Sequence, residues 1–389
     1  MAIHKKKYID ANVYEKALER IESLYSKFDD VVVSFSGGKD STAMLLCTIE
    51  VAAKLNRLPV TAVFYDEEAV HPTTIEYVQR VSEMPEVNLH WYCLPVKHRN
   101  ACSNEQPFWH PWHPEEKEKW VREMPAQAIT EHPRFQFGMT MQDFGREHYR
   151  YTNKVVVQGI RTEESMRRYQ VVARKKEENY ISKPDKGIYF AFPIYDWSSK
   201  DVWKLVQIKN ADYNRTYDIF NKTELYEHFL SQRVCPPYGE EPVRGLWVYA
   251  ECFPEMWHKM IYRVPGAATA GRYGNTELYS QGYKPEHVSW RDHVQNVINT
   301  YQGADKADVV SAINQAINLH KKKTDDRIPE DDAHPLTGLS WRFLSKMVTR
   351  GDFKGRVMQT LSTHSNNQLR KMGITLEQAE KIYGKGKAL

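Results

Sequence analysis

Apolar residues at Tyr14, Ala17, Leu18, Ile21, Leu24, Tyr25 and Phe28 recur at steps of three and four, the spacing of a single helix face. Asn12 stands where an N-cap belongs, with Glu15 as its N3 partner. After Asp29 and Asp30 the period changes. Val31 to Phe35 is a short apolar, β-branched run of the kind buried in parallel strands, and Gly37 and Gly38 supply a turn. Helical spacing returns from Asp40 to Leu55, and Val60 to Tyr65 repeats the buried-strand signature before the acidic pair Asp66 and Glu67. A third helix is predicted near Pro72, a third strand over Val87 to Val96, and a fourth over Val155 to Gln158, closed by Gly159. Strands alternating with helices predict an α/β fold with a doubly wound, mostly parallel five-stranded sheet, because parallel strands need crossovers and helices supply them. Ligands then belong at the C-terminal ends of the strands.

The rhythm breaks between Arg99 and Tyr151, where Pro107, Pro111, Pro114, Pro125 and Pro133 stand among aromatic residues, which predicts an insertion beside the site. Ser198 and Ser199 precede the helical spacing of Val202, Leu205 and Val206. Beyond them the alternation stops and helical patterns follow, at Val294, Val297, Ile298 and Tyr301, then at Val309, Ile313, Ala316 and Ile317. The charged stretch Lys321 to Asp332 is the best linker candidate, and a basic helical tail starts at Trp341. The organisation expected is a nucleotide-binding domain over 1–215 with its insertion at 99–151, a mainly helical region over 216–325 and a helical tail over 326–389.

Composition narrows the class. Hydrophobic residues are 41% and charged residues 27% of the 389, which excludes disorder and fibrous repeats. The net charge of +4 gives only weak support for nucleic-acid binding. No apolar run approaches the roughly 20 residues that span a bilayer, and the basic start, Met1 to Lys7, leads into an amphipathic stretch, so a cytoplasmic protein without a membrane is expected. The five cysteines, Cys47, Cys93, Cys102, Cys235 and Cys252, form no CxxC pair, so neither an iron–sulfur cluster nor a structural zinc is expected. The crowd of His90, Cys93, His98, Cys102, His110 and His113 matches no compact zinc spacing.

The chemistry is carried by Ser34 Phe35 Ser36 Gly37 Gly38 Lys39 Asp40 Ser41 Thr42, between a predicted strand and a predicted helix. Two glycines let the backbone approach an anion, the helix start offers N–H groups and dipole to phosphate, Lys39 adds a charge, and Ser36, Ser41 and Thr42 add hydroxyls. A Walker A loop would need glycine at Val33 and Ser or Thr at Asp40. A second segment, Gly159 Ile160 Arg161 Thr162 Glu163 Glu164 Ser165 Met166 Arg167 Arg168, follows the fourth strand and brings Arg161 to the same sheet edge. For Arg167, Arg168, Arg174, Lys175 and Lys176 a solvated basic face is the alternative. A third, Phe192 to Trp203, places Asp196 and Asp201 near the site; Asp201 equally fits a helix cap.

These segments, in this order over residues 31 to 203, resemble the PP-loop superfamily, and the group related to PAPS reductases and ATP sulfurylases within it. The resemblance implies a Rossmann-like PP-loop fold that holds the β and γ phosphates of ATP at Ser36 to Ser41, and nucleotide contacts at Asp66 and Glu67, for which acids leaving a strand into solvent are the alternative. It implies ATP as ligand, with Mg²⁺ and Asp40 as first candidate for its carboxylate, catalysis by Lys39, Arg161 and Asp40, and a second anion or substrate site at Glu164, Ser165, Arg167, Arg168 and Asp196. Weaker similarities at Val234 to Leu246 and Ser340 to Lys354 resemble the branch of the prophage-associated immunoglobulin-binding regulator A, which acts with a ParB-like partner. The sequence departs from PAPS reductases in having no cysteine after Cys252, so a thiol-driven sulfate reduction is not expected. Two functions follow. One is ATP cleavage between the α and β phosphates with transfer to an unidentified acceptor; the other is an ATP-binding regulatory module acting with a DNA-binding partner.

Overall fold

The computed structural model describes residues 9–103, 105–173, 178–223, 234, 237–239, 245–273, 284–349 and 355–386. The expectations for Met1 to Lys7, Arg174 to Lys176, Cys235 and most of the 234–246 segment fall outside them, as does the side chain of Arg167. The chain divides into two compact units, one of residues 1–98, 110–236 and 252–259, the other of residues 99–109, 237–251 and 260–389.

The first unit is built on a sheet of six strands: β1 (Asp30–Ser34), β2 (Val60–Tyr65), β3 (Val87–Tyr92), β4 (Lys154–Gln158), β5 (Ile181–Ser182) and β6 (Phe190–Ala191). Their order is β3-β2-β1-β4-β6-β5. The first five in that order run parallel, and β5 pairs antiparallel with β6 at the edge. The mostly parallel sheet is therefore as predicted, with one short antiparallel strand more. In β1 and β4 the register sets Val31 beside Val155 and Val33 beside Val157.

Successive strand residues point to opposite faces, and here both faces are covered, which is why the strands read as unbroken apolar runs. One face carries Val31 and Val33 under helices α1 (Val13–Lys27), α2 (Lys39–Lys54), α3 (Pro72–Ser82) and α6 (Ser199–Ile208), through Ile21, Leu24, Met44, Val78 and Val202. The other carries Val32, Val63 and Val156 under Phe144 and Tyr149 of α4 (Met141–Tyr149). The later part of the predicted insertion is thus a layer of the core. β3 ends at Tyr92, short of Val96, because the Cys93 N–H donates to the Ile129 carbonyl at 3.0 Å as the chain leaves the sheet. Two further short helices, α5 (Met166–Ala173) and α7 (Thr216–Lys222), flank the site.

The second unit is helical. Helices Trp290–Thr300, Gly303–Lys323 and Trp341–Thr349 bury Val294, Ile298, Ile313, Ala316, Leu344 and Met347 against one another, and Leu361–Met372 and Leu376–Tyr383 follow. The charged stretch 321–332, read as a linker, closes a long helix and packs into this unit. His320 Nδ1 lies 2.7 Å from Thr337 Oγ1, and His334 Nε2 lies 3.1 Å from Asp326 Oδ2. Among the described residues no helix is long and apolar enough to cross a membrane.

Candidate nucleotide site

β1 delivers the chain to the sheet's C-terminal edge, where Ser36, Gly37 and Gly38 turn it into α2. Gly37 has φ +71°, and a Cβ there would lie 2.9 Å from Thr74 Cγ2 of α3, so the turn demands glycine twice over. Gly38 is the N-cap of α2 and has no side chain with which to cap it. The first N–H groups of the helix keep their positive end toward the loop.

The hydroxyls expected to meet phosphate are partly spent on the loop itself. Ser41 Oγ and Thr42 Oγ1 donate to the Gly38 carbonyl at 2.9 and 3.0 Å, and Ser36 Oγ lies 3.0 Å from Ser41 Oγ. They fix the turn. Ser34 closes β1 beside Gln158 of β4.

Lys39 is 3% exposed and its Nζ lies 2.9 Å from Asp40 Oδ2. Arg161, equally buried, reaches the other oxygen of the same carboxylate from the β4 side, Nε to Oδ1 at 2.6 Å. Its guanidinium also contacts Glu163 Oε2 at 3.1 Å and Ser199 Oγ at 3.3 Å. Gly159 makes this meeting possible: a Cβ there would stand 2.6 Å from the Asp40 carbonyl carbon and oxygen and 2.8 Å from the Ser41 nitrogen. Two strand–loop–helix connections thus converge on one carboxylate.

Asp66 and Glu67 part company. The Asp66 side chain is fully buried, accepting from Trp91 Nε1 at 2.7 Å and paired with Arg122 from the insertion. Glu68, at φ 62°, accepts the Trp112 and Val121 backbone N–H groups at 2.8 and 3.1 Å. Both acids anchor the 112–122 segment. Glu67 instead meets His98, Oε1 to Nε2 at 2.7 Å.

The expected second anion site is not gathered at one place. Asp196 is bridged by both terminal nitrogens of Arg20 in α1, at 2.9 and 2.8 Å. Glu164 accepts the Arg161 N–H at 3.1 Å and pairs with Arg168, whose own N–H donates to Ser165 Oγ at 3.2 Å. Asp201 closes a capping box with Ser198, the alternative the sequence allowed. Among the described residues no group of three or more His, Cys, Asp or Glu is placed to hold a metal ion.

Sequence reasoning passed over the segment 212–217. Asn214 donates to the Gly37 carbonyl at 2.8 Å and to Thr74 Oγ1 at 2.9 Å, and the Tyr217 hydroxyl accepts the Lys39 N–H at 3.0 Å. The segment is a polar clamp on the loop. It carries no periodicity, and no local signal pointed to it.

A glycine turn at the C-terminal edge of a parallel sheet thus opens a helix with a lysine and an arginine beside it, an arrangement whose chemistry suits an anion. The family model described as "Phosphoadenosine phosphosulfate reductase domain" matches residues 30–220, and "Domain of unknown function (DUF3440)" matches residues 228–367. The chain is 30% identical over 384 residues to the "Uncharacterized protein YbdN" of Escherichia coli (strain K12), covering 92% of this chain and 93% of that one. Among solved structures it is similar to a PAPS reductase from Candida auris, with a TM-score of 0.32, 12% identity and coverage of 55% of this chain and 94% of that one. It is also similar to the FMN adenylyltransferase of Candida glabrata, with a TM-score of 0.34, 15% identity and coverage of 55% and 64%. The chain belongs to the PP-loop, adenine nucleotide alpha hydrolase-like superfamily and carries its PAPS-reductase-like domain.

Proposed function

We propose that the protein binds Mg-ATP at the Ser36–Ser41 loop and cleaves it between the α and β phosphates, passing the adenylyl group to an acceptor. The observation that carries this reading is the convergence of Lys39 and Arg161 on Asp40 at the start of α2, whose N-cap Gly38 brings no side chain into the space before it. An anion entering there would meet N–H groups of the first turn of α2 other than that of Lys39, which Tyr217 accepts, and two cations that Asp40 holds side by side. Lys39 and the loop amides are assigned to the β and γ phosphates, and Arg161 to the charge that gathers at the α phosphate as pyrophosphate departs.

Asp40 holds both cations through its two oxygens, which favours a positioning role over direct metal ligation. Magnesium would then arrive on the phosphates and take few protein oxygens, as this small, strongly hydrated ion commonly does. It would supply charge neutralisation on the leaving pyrophosphate. The absence of a cysteine after Cys252 favours ATP chemistry over thiol-driven reduction in this member. Calorimetric titration with Mg-ATP and pyrophosphate release, each compared with Lys39→Ala, test the reading. Binding and release should both fall in the variant, and an unchanged affinity in Lys39→Ala would remove the loop from the site.

A further inference from the structure

Three acids leave β2 in succession, and the fold consumes two of them. Asp66 is taken by Trp91 and Arg122, and Glu68 by the Trp112 and Val121 backbone. Glu67 is nearly as buried, at 6% exposure, yet only its Oε1 is engaged, by His98 Nε2 at 2.7 Å. Among the described residues no donor is placed on Oε2. A carboxylate oriented through one oxygen by an imidazole, with the other uncommitted, has the form of a general base.

Its place fits the α-phosphate reading. β2 runs parallel beside β1, so the residues just past its end lie at the same C-terminal sheet edge as the phosphate loop. α3, which begins at Pro72 a short turn after Glu67, places Thr74 against Gly37. We propose that Glu67, held by His98, takes the proton of the attacking group, and that the acceptor is therefore a hydroxyl-bearing molecule. The inference rests on the function proposed above.

The proton decides between acceptor classes. Sulfate and carboxylate attack through oxygens that carry no proton near neutral pH, and a carboxylate beside them would only repel them. A hydroxyl must lose its proton as it attacks. The acceptor O–H bond breaks with its proton passing to Glu67 Oε2, and the oxygen forms a bond to the α-phosphorus. The bond from that phosphorus to the bridging oxygen breaks, and its electron pair leaves on pyrophosphate. The adenylyl group remains esterified to the acceptor oxygen, and Glu67 returns its proton to solvent. His98 is a positioning residue.

The test uses the full chain with Mg-ATP and measures pyrophosphate release across pH, with water and glycerol as hydroxyl probes and sulfate and acetate as proton-free probes. ATP affinity is followed by calorimetry and folding by circular dichroism. Glu67→Gln should lower release about 100-fold, within the span typical of general-base loss, and abolish its decline toward acid pH while ATP affinity stays within about twofold. Glu67→Asp should recover part of the rate, and His98→Gln should shift the acid decline with KM unchanged. Glu67→Gln that keeps the wild-type rate and pH profile overturns the inference, as does release stimulated by sulfate or acetate. A loss of ATP affinity in folded Glu67→Gln overturns it too and returns Glu67 to nucleotide binding. Wild-type protein that binds ATP but releases no pyrophosphate in any arm overturns the α-phosphate reading first, and this inference with it.

Discussion

Gly159→Ala is a one-carbon test of how the site is assembled. The added Cβ would stand 2.6 Å from the Asp40 carbonyl group and 2.8 Å from the Ser41 nitrogen, all backbone of the first turn of α2. No side-chain rotation relieves such a contact. Reaching the roughly 3.5 Å of an ordinary carbon contact requires the end of β4 and the start of α2 to separate by about 1 Å. Arg161 is two residues beyond Gly159 and Asp40 lies in the displaced turn, so the 2.6 Å ion pair between them opens by a similar amount. Overpacking of this kind costs about 1–3 kcal/mol of stability. ATP affinity should fall about tenfold for each 1.4 kcal/mol lost at the site. Urea denaturation followed by tryptophan fluorescence gives the first quantity and calorimetric ATP titration the second. Gly138→Ala is the control, since Gly138 has φ +92° and open space around it; backbone strain of about 1 kcal/mol is expected there with ATP binding intact. A Gly159→Ala protein within 0.5 kcal/mol of wild type, binding ATP unchanged, would refute the close approach on which the site depends.

Further outcomes are expected elsewhere. Asn214→Ala removes two buried hydrogen bonds to Gly37 and Thr74 and should cost about 1–3 kcal/mol in urea denaturation, with weaker ATP binding. Arg122→Ala leaves the buried Asp66 without its cation and should destabilise by about 3–5 kcal/mol, with limited proteolysis opening the 112–122 segment first. His71 is buried against Phe220, and burial lowers its pKa from 6.5 to about 3. The unfolded chain therefore binds the proton first: stability is fully present above pH 6.5 and is lost as pH falls toward 3, by about 2 kcal/mol at pH 5. Urea midpoints at pH 7 and pH 5 should show this loss, and His71→Phe should reduce it.

The parts of the fold legible in sequence were those where local pattern and tertiary environment agree. Val31 to Val33, Ala62 to Phe64 and Val155 to Val157 are buried on both faces, and their unbroken apolar character showed it. β5 and β6 are two residues each and too short to express a period. The proline-rich segment hid its core role because Phe144 and Tyr149 cover a sheet face from within a stretch whose composition reads as loop. In the site, Gly37, Gly38, Lys39 and Arg161 announced themselves through local chemistry. Partners distant in sequence did not: Arg20 takes Asp196 across 176 positions, and Asn214 and Tyr217 reach the loop across 177 and 178. A motif names the groups that can meet a ligand, while long-range contacts decide which of them the fold has already used.

The proposed reaction is distinguished from ordinary ATP hydrolysis by the bond that breaks. The direct measurement is product identity from γ-labelled ATP, incubated with the full chain, magnesium and the hydroxyl probes and resolved chromatographically. Cleavage between the α and β phosphates yields labelled pyrophosphate that disappears in Lys39→Ala; labelled orthophosphate, formed without a pyrophosphate precursor, would place cleavage between the β and γ phosphates and contradict the proposed reaction.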